Sequence, residues 1–185
     1  MTNTVPTDTK GRVLLRLARD AIASAFGHTP APLPTDAWLQ EPGAAFVTLT
    51  RDGELRGCIG SLEAHRPLID DVRANARAAA FHDPRFAPLS ARELDAVRVE
   101  VSLLSPLQPI AFADEADAIA QLRPGVDGVL LEQGLNRGTF LPQVWEQLPE
   151  PRQFMAHLKM KAGLPPDFWS PAVRLYRYTV AKWRE

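Results

Sequence analysis

A single cysteine, no excess of either charge and no long apolar run set the first limits on this chain of 185 residues. One cysteine forms no internal disulfide, which suits a reducing compartment, and it rules out zinc or iron–sulfur sites built from several thiolates of this chain. The charges nearly cancel, 21 basic against 22 acidic. Binding to nucleic acid or to an anionic lipid surface is therefore not expected, and small molecules or proteins are the expected partners. No stretch approaches the roughly 20 apolar residues that span a bilayer. The opening "MTNTVPTDTKG" lacks the basic start and apolar stretch of a secretory signal, so a cytoplasmic location is expected. Also missing are a phosphate-binding loop, a dinucleotide glycine fingerprint, a two-histidine helical metal motif and a nucleophile elbow. No cofactor or metal site is expected.

What is present reads as a mixed fold. A polar start over residues 1–9 is expected to be disordered. The stripe Val13, Leu14, Leu17, Ala21, Ile22 and Ala25 then predicts an amphipathic helix from about residue 10 to Phe26, stopped at Gly27. "AAFVTLTRDGELRGCIGSL" predicts a hairpin turning at Asp52-Gly53, and strict alternation would put Arg56, Cys58 and Gly60 on one face of its second strand. "RPLIDDVRANARAAAF" predicts a helix whose small-residue stripe packs close to a sheet, and "SARELDA" a short helical turn with Ser90 as cap and Glu93 three residues on. "AVRVEVSLLSP" alternates as a half-buried strand with Glu100 on its polar face.

The second half repeats hairpin, helix and strand. "GVLLEQGLNRGTFLPQVW" predicts a hairpin with Gly134, Asn136 and Gly138 in its turn, "PRQFMAHLKMKAGLPP" a helix, and "AVRLYRYTVAKW" one closing strand. Asp127 and Arg137 read as turn residues. The fold class expected is α+β: mainly antiparallel sheets flanked by helices, in two related subdomains sharing a core.

The chemistry centres on Cys58. A cysteine reacts as its thiolate, which a neighbouring cation favours, and Arg56 two residues away is the candidate cation. The flanking glycines would let a ligand approach the backbone. The competing reading is structural, with Cys58 a small buried side chain and the glycines serving close packing. A cysteine nucleophile needs a base, for which His82 and Glu100 are the candidates. Each also has a plain reading, His82 as a helix-end residue and Glu100 as an exposed strand residue.

The ordered set "FVTL", "LRGCIGSL", "NARAAAFHDPRFAPLSARELD", "VEVSLLSP", "PGVDGVLLE", "FLPQVW" and "KAGLPPDFW", from Phe46 to Trp169, resembles the AMMECR domain family. That family is the A component of the three-part AmmeMemoRadiSam arrangement. The resemblance implies a compact α+β fold of two subdomains, here one domain or two interleaved subdomains over residues 10–185, without implying an established activity. It also implies a shared pathway or complex with a Memo-like protein and a radical S-adenosylmethionine enzyme. The motif falls on Arg56, Gly57, Cys58, Ile59 and Gly60, on Asp83, Pro84, Arg85 and Phe86, and on Glu100 and Ser102, while His82 departs from the pattern. Two functions follow as expectations. One is an enzyme or enzyme component with Cys58, Arg56, Glu100 and His82 as catalytic residues and Gly57, Gly60, Asp83 and Arg85 binding a small molecule. The other is a non-catalytic ligand- or protein-binding module with an inert cysteine.

Overall fold

The computed structural model describes residues 7–185. The disordered start expected for residues 1–9 falls mostly on residues outside that span. Helix α1 (Thr7–Ala23) begins earlier than its apolar stripe predicts, and a 3-10 turn carries the chain to Phe26 before Gly27 ends it at a φ of 85°. The described residues divide into two compact units, 7–104 with 181–185 and 105–180.

The first unit is a sheet of order β2-β1-β3-β8, formed by β1 (Ala44–Arg51), β2 (Glu54–Gly60), β3 (Val97–Leu104) and β8 (Val180–Arg184). Strand β1 pairs antiparallel with both β2 and β3. Alternation directs Ala45, Val47 and Leu49 of β1, with Val97, Val99 and Val101 of β3, into an apolar core. Leu14, Leu17, Ala18 and Ile22 of α1 and Val72, Ala76, Ala79 and Ala80 of α3 (Leu68–Phe81) fill the same core. The alanine stripe of α3 matters because a Cβ on Gly57 would lie 2.1 Å from the Ala79 carbonyl oxygen. Strand and helix touch through backbone there, and only glycine fits. The proline-bearing connector over residues 28–36 forms neither helix nor strand, and a short helix α2 (Ala37–Gln40) follows it before β1.

A buried polar cluster ties α3 to the start of β1. The Asp71 carboxylate accepts hydrogen bonds from the Ala45 N–H (2.9 Å), the Ser61 hydroxyl (2.6 Å) and the Arg66 Nε (2.9 Å). Asn75 donates to the Ala45 carbonyl at 3.0 Å. Buried polar groups paired this completely hold their elements in one register.

The second unit contains a sheet of order β4-β7-β5-β6, formed by β4 (Gln108–Pro109), β7 (Arg174–Tyr178), β5 (Gly128–Gln133) and β6 (Asn136–Phe140), with helices α4 (Glu115–Ala120) and α5 (Pro151–Lys161). Its core joins Val129, Leu131 and Leu175 to Phe154, Met155 and Leu158 of α5. Trp145 stacks on Phe154 at 3.7 Å between ring centroids and donates its indole N–H to the Asp127 carbonyl at 2.7 Å.

Three local expectations are corrected. The single closing strand is two strands in different sheets, interrupted at Thr179, whose carbonyl accepts the Ser105 N–H at 2.8 Å. The β5–β6 turn lies at Gly134-Leu135, leaving Asn136 and Gly138 in the ladder and Arg137 paired across it with Glu132 at 3.1 Å. Asp127 is a fully buried carboxylate held by Arg123 at 2.6 Å, more than a turn residue.

Candidate functional site

Cys58 lies on β2, an edge strand of the first sheet. An edge strand leaves half its backbone groups without a neighbouring strand. At Cys58 a side-chain pair takes that place: the Asp83 carboxylate accepts the Cys58 N–H at 2.9 Å, and Arg85 Nη2 donates to the Cys58 carbonyl at 3.3 Å. Asp83 and Arg85 are joined to each other at 2.7 and 3.0 Å. Asp83 is buried, whereas the Arg85 side chain is 54% exposed. The fork of Arg85, with help from the Cys58 and Arg85 backbone N–H groups and against the opposing effect of burial, holds the Asp83 carboxyl well below the ordinary carboxylate range. The same hydrogen bond raises the pKa of Arg85, with a smaller electrostatic contribution from Cys58. The "DPRF" segment thus caps the sheet edge at the one residue that carries a thiol.

Because its outward N–H and C=O are taken this way, Cys58 faces Thr48 as a non-hydrogen-bonded pair, the closer kind in an antiparallel ladder. Its Sγ lies 3.2 Å from the Thr48 hydroxyl. Thr48 is in turn opposite Glu100 on β3. Cys58, Thr48 and Glu100 therefore form a row across three strands, on the face opposite Val47, Leu49 and Val99. Cys58, Thr48 and Glu100 are all half-buried. Glu100 accepts from Arg184 Nε at 2.9 Å.

Arg56 does not share this row. The ladder pairs Leu49 with Gly57 and Thr50 with Leu55, so Arg56 is the extra residue of a β-bulge. A bulge breaks the alternation that would have placed Arg56 beside Cys58. The Arg56 guanidinium instead reaches Glu93 at 2.9 and 3.3 Å and lies 6.0 Å from the Phe86 ring centroid. Glu93 also closes the capping box with Ser90. The Arg56 hydrogen bond above all, aided by those from Ser90, lowers the Glu93 pKa to about 2.

The other candidates have visible structural work. Gly57 admits the α3 backbone, and a Cβ on Gly60 would meet the Phe46 ring at 2.2 Å. His82 ends α3, is exposed, and its backbone N–H donates to the Ala78 carbonyl at 2.8 Å. Among the described residues no three His, Cys, Asp or Glu side chains gather to hold a metal. Nor is any helix among them long and apolar enough to cross a membrane.

With this geometry in view, the sequence model of the AMMECR1 family matches residues 15–183. The chain belongs to the AMMECR1 family. A relative from Methanothermobacter thermautotrophicus is 44% identical over 176 residues, 91% of either chain. One from Thermococcus kodakarensis is 37% identical over 194 residues, covering 96% of this chain and 91% of the relative. The crystal structure of an uncharacterized protein from Pyrococcus horikoshii is similar to this fold at a TM-score of 0.78 and 35% identity, covering 95% of this chain and 91% of that one. In this AMMECR1 domain the two most distinctive strings, "LRGCIG" and "DPRF", meet through the Asp83 and Arg85 contacts to the Cys58 backbone.

Lys159 escaped the sequence reading. It continues the buried stripe of Met155 and Leu158 in α5, which Ala162 extends just past the helix end, and a charge on such a stripe was the available signal.

Proposed function

We propose that this AMMECR1-family chain is an enzyme component that processes a small anionic molecule, with Cys58 as nucleophile and Arg85 as the anchor for the anion. What carries the reading is that the half-buried residue Cys58 has at its own carbonyl, 3.3 Å away, an exposed guanidinium that a buried carboxylate fixes in place. Accessible thiols next to a cation are the reactive kind, and a held arginine needs little ordering to bind a carboxylate or phosphate. Arg85 thus takes the part first expected of Arg56, which Glu93 holds. Glu100, two strands along the same row and bonded to Arg184, is beyond hydrogen-bond reach of Cys58 and is assigned no proton transfer. His82 is assigned no part. A Memo-like protein and a radical S-adenosylmethionine enzyme are the proposed partners, on the strength of the family resemblance.

A second reading has its own support. Asp83 and Arg85 bond to the Cys58 backbone, and Gly57 and Gly60 serve packing, as in a binding module whose thiol is inert. Timed alkylation of the native protein with iodoacetamide, followed by intact mass, separates the two. An enzyme component labels once per chain while still folded, within about two orders of magnitude of the unfolded rate. Labelling that begins only with unfolding rejects the nucleophile and leaves the binding module.

A further inference from the structure

The second unit holds a cavity of about 450 Å3 that the reading of Cys58 does not use, lined by parts of α4, α5 and the segment that follows α5. That volume lies within the range of small-molecule sites. Lys159 of α5 contributes to its lining with only 2% of its side chain exposed. Its ammonium pairs with the Glu115 carboxylate, donates to the Pro166 carbonyl at a long 3.4 Å, and lies 5.5 Å from the Trp169 ring centroid. An ammonium buried this far is strongly unfavourable without partners, and a leucine would fill the same stripe without that desolvation. Position 159 therefore carries a charge that packing alone does not require.

The rest of the lining is balanced in sign. Arg152 adds a second cation and Asp114 a second carboxylate, both exposed, while Ile119 and Trp169 supply an apolar wall. A simple anion would meet the two carboxylates, and a simple cation would meet Arg152 and Lys159. A ligand with both charges meets complementary groups at each end. We propose that this cavity binds a small zwitterion with an apolar or aromatic body, an α-amino acid being the simplest of the class. Its carboxylate lies on Arg152 and on Lys159, replacing the long bond to Pro166. Its ammonium lies on Glu115 and Asp114, and its side chain lies against Trp169 and Ile119.

The test is titration of the isotope-labelled full chain with L-tryptophan and L-phenylalanine, and separately with indole-3-acetate and tryptamine, which keep one charge each. The readouts are the amide signals of Ile119 and Lys159 and the indole N–H of Trp169. The expected result is saturable shifts at these positions with at least one amino acid, and binding about tenfold weaker or less for the single-charge compounds. Arg152→Gln, a substitution at an exposed position, weakens the amino acid about tenfold while the remaining signals stay in place. The proposal is overturned if neither amino acid shifts these signals, if a single-charge compound binds as well as the zwitterion, or if Arg152→Gln leaves the affinity unchanged.

Discussion

Gly57 and Asp83 hold the thiol strand from two directions, and each makes a prediction of its own. A methyl group at position 57 would drive into the Ala79 carbonyl, a backbone atom with no rotamer to move. Gly57→Ala should therefore destabilise the fold by about 2 kcal/mol, the usual range for overpacking, measured as a lowered urea midpoint with unchanged slope. Unchanged stability would mean that the close approach of α3 is not required. Asp83→Ala orphans the Cys58 N–H and unpairs Arg85, and a loss of about 2 kcal/mol is expected by the same measurement. The Cys58 N–H lies at a sheet edge, so a loss near zero would mean that water replaces the carboxylate.

The residue identities at this site were legible in the sequence, but their partners were not. Arg56 and Cys58 share a face in any strand that alternates without interruption, and the bulge that separates them comes from pairing with β1. Asp83 is 25 residues from Cys58, beyond the reach of a local pattern. Lys159 was hidden in the opposite way, by a stripe whose spacing reads as ordinary core.

At the scale of elements, the hairpin β1–β2, helices α1, α3 and α5, and the strand around Glu100 follow from periodicity and turn chemistry. Asp52 and Gly53 both have positive φ, as a tight hairpin turn requires. The division of the closing segment into β7 and β8 was not legible, because both halves are rich in β-forming residues and only Ser105 marks the break. The capping turn at Ser90–Glu93 carries a pH dependence. The Glu93 pKa falls from an ordinary 4.5 to about 2 in the fold. A depressed folded pKa means the unfolded chain binds the proton first, so the stabilisation is complete above about pH 4.5 and is lost as pH falls toward 2. Urea unfolding of wild type and Glu93→Gln should show a stability gap near neutral pH that closes over this interval. A gap that stays constant with pH would show that Glu93 acts only through shape.

At the scale of the molecule, two apolar clusters each organise one unit, and charge is spread without a dominant sign. A surface of this kind supplies little counterion release on a phosphate backbone. Fluorescence anisotropy with a labelled oligonucleotide at low salt should show no saturable binding, and binding that falls steeply with added salt would reveal a basic face that the overall balance conceals. The proposed activity places an anion beside the single thiol. It is tested most directly by the ratio of alkylation rates for iodoacetate over iodoacetamide at Cys58 in the folded protein. An anchoring Arg85 makes that ratio higher than in the unfolded chain, and salt lowers it. A folded-state ratio equal to or below the unfolded one would contradict the account.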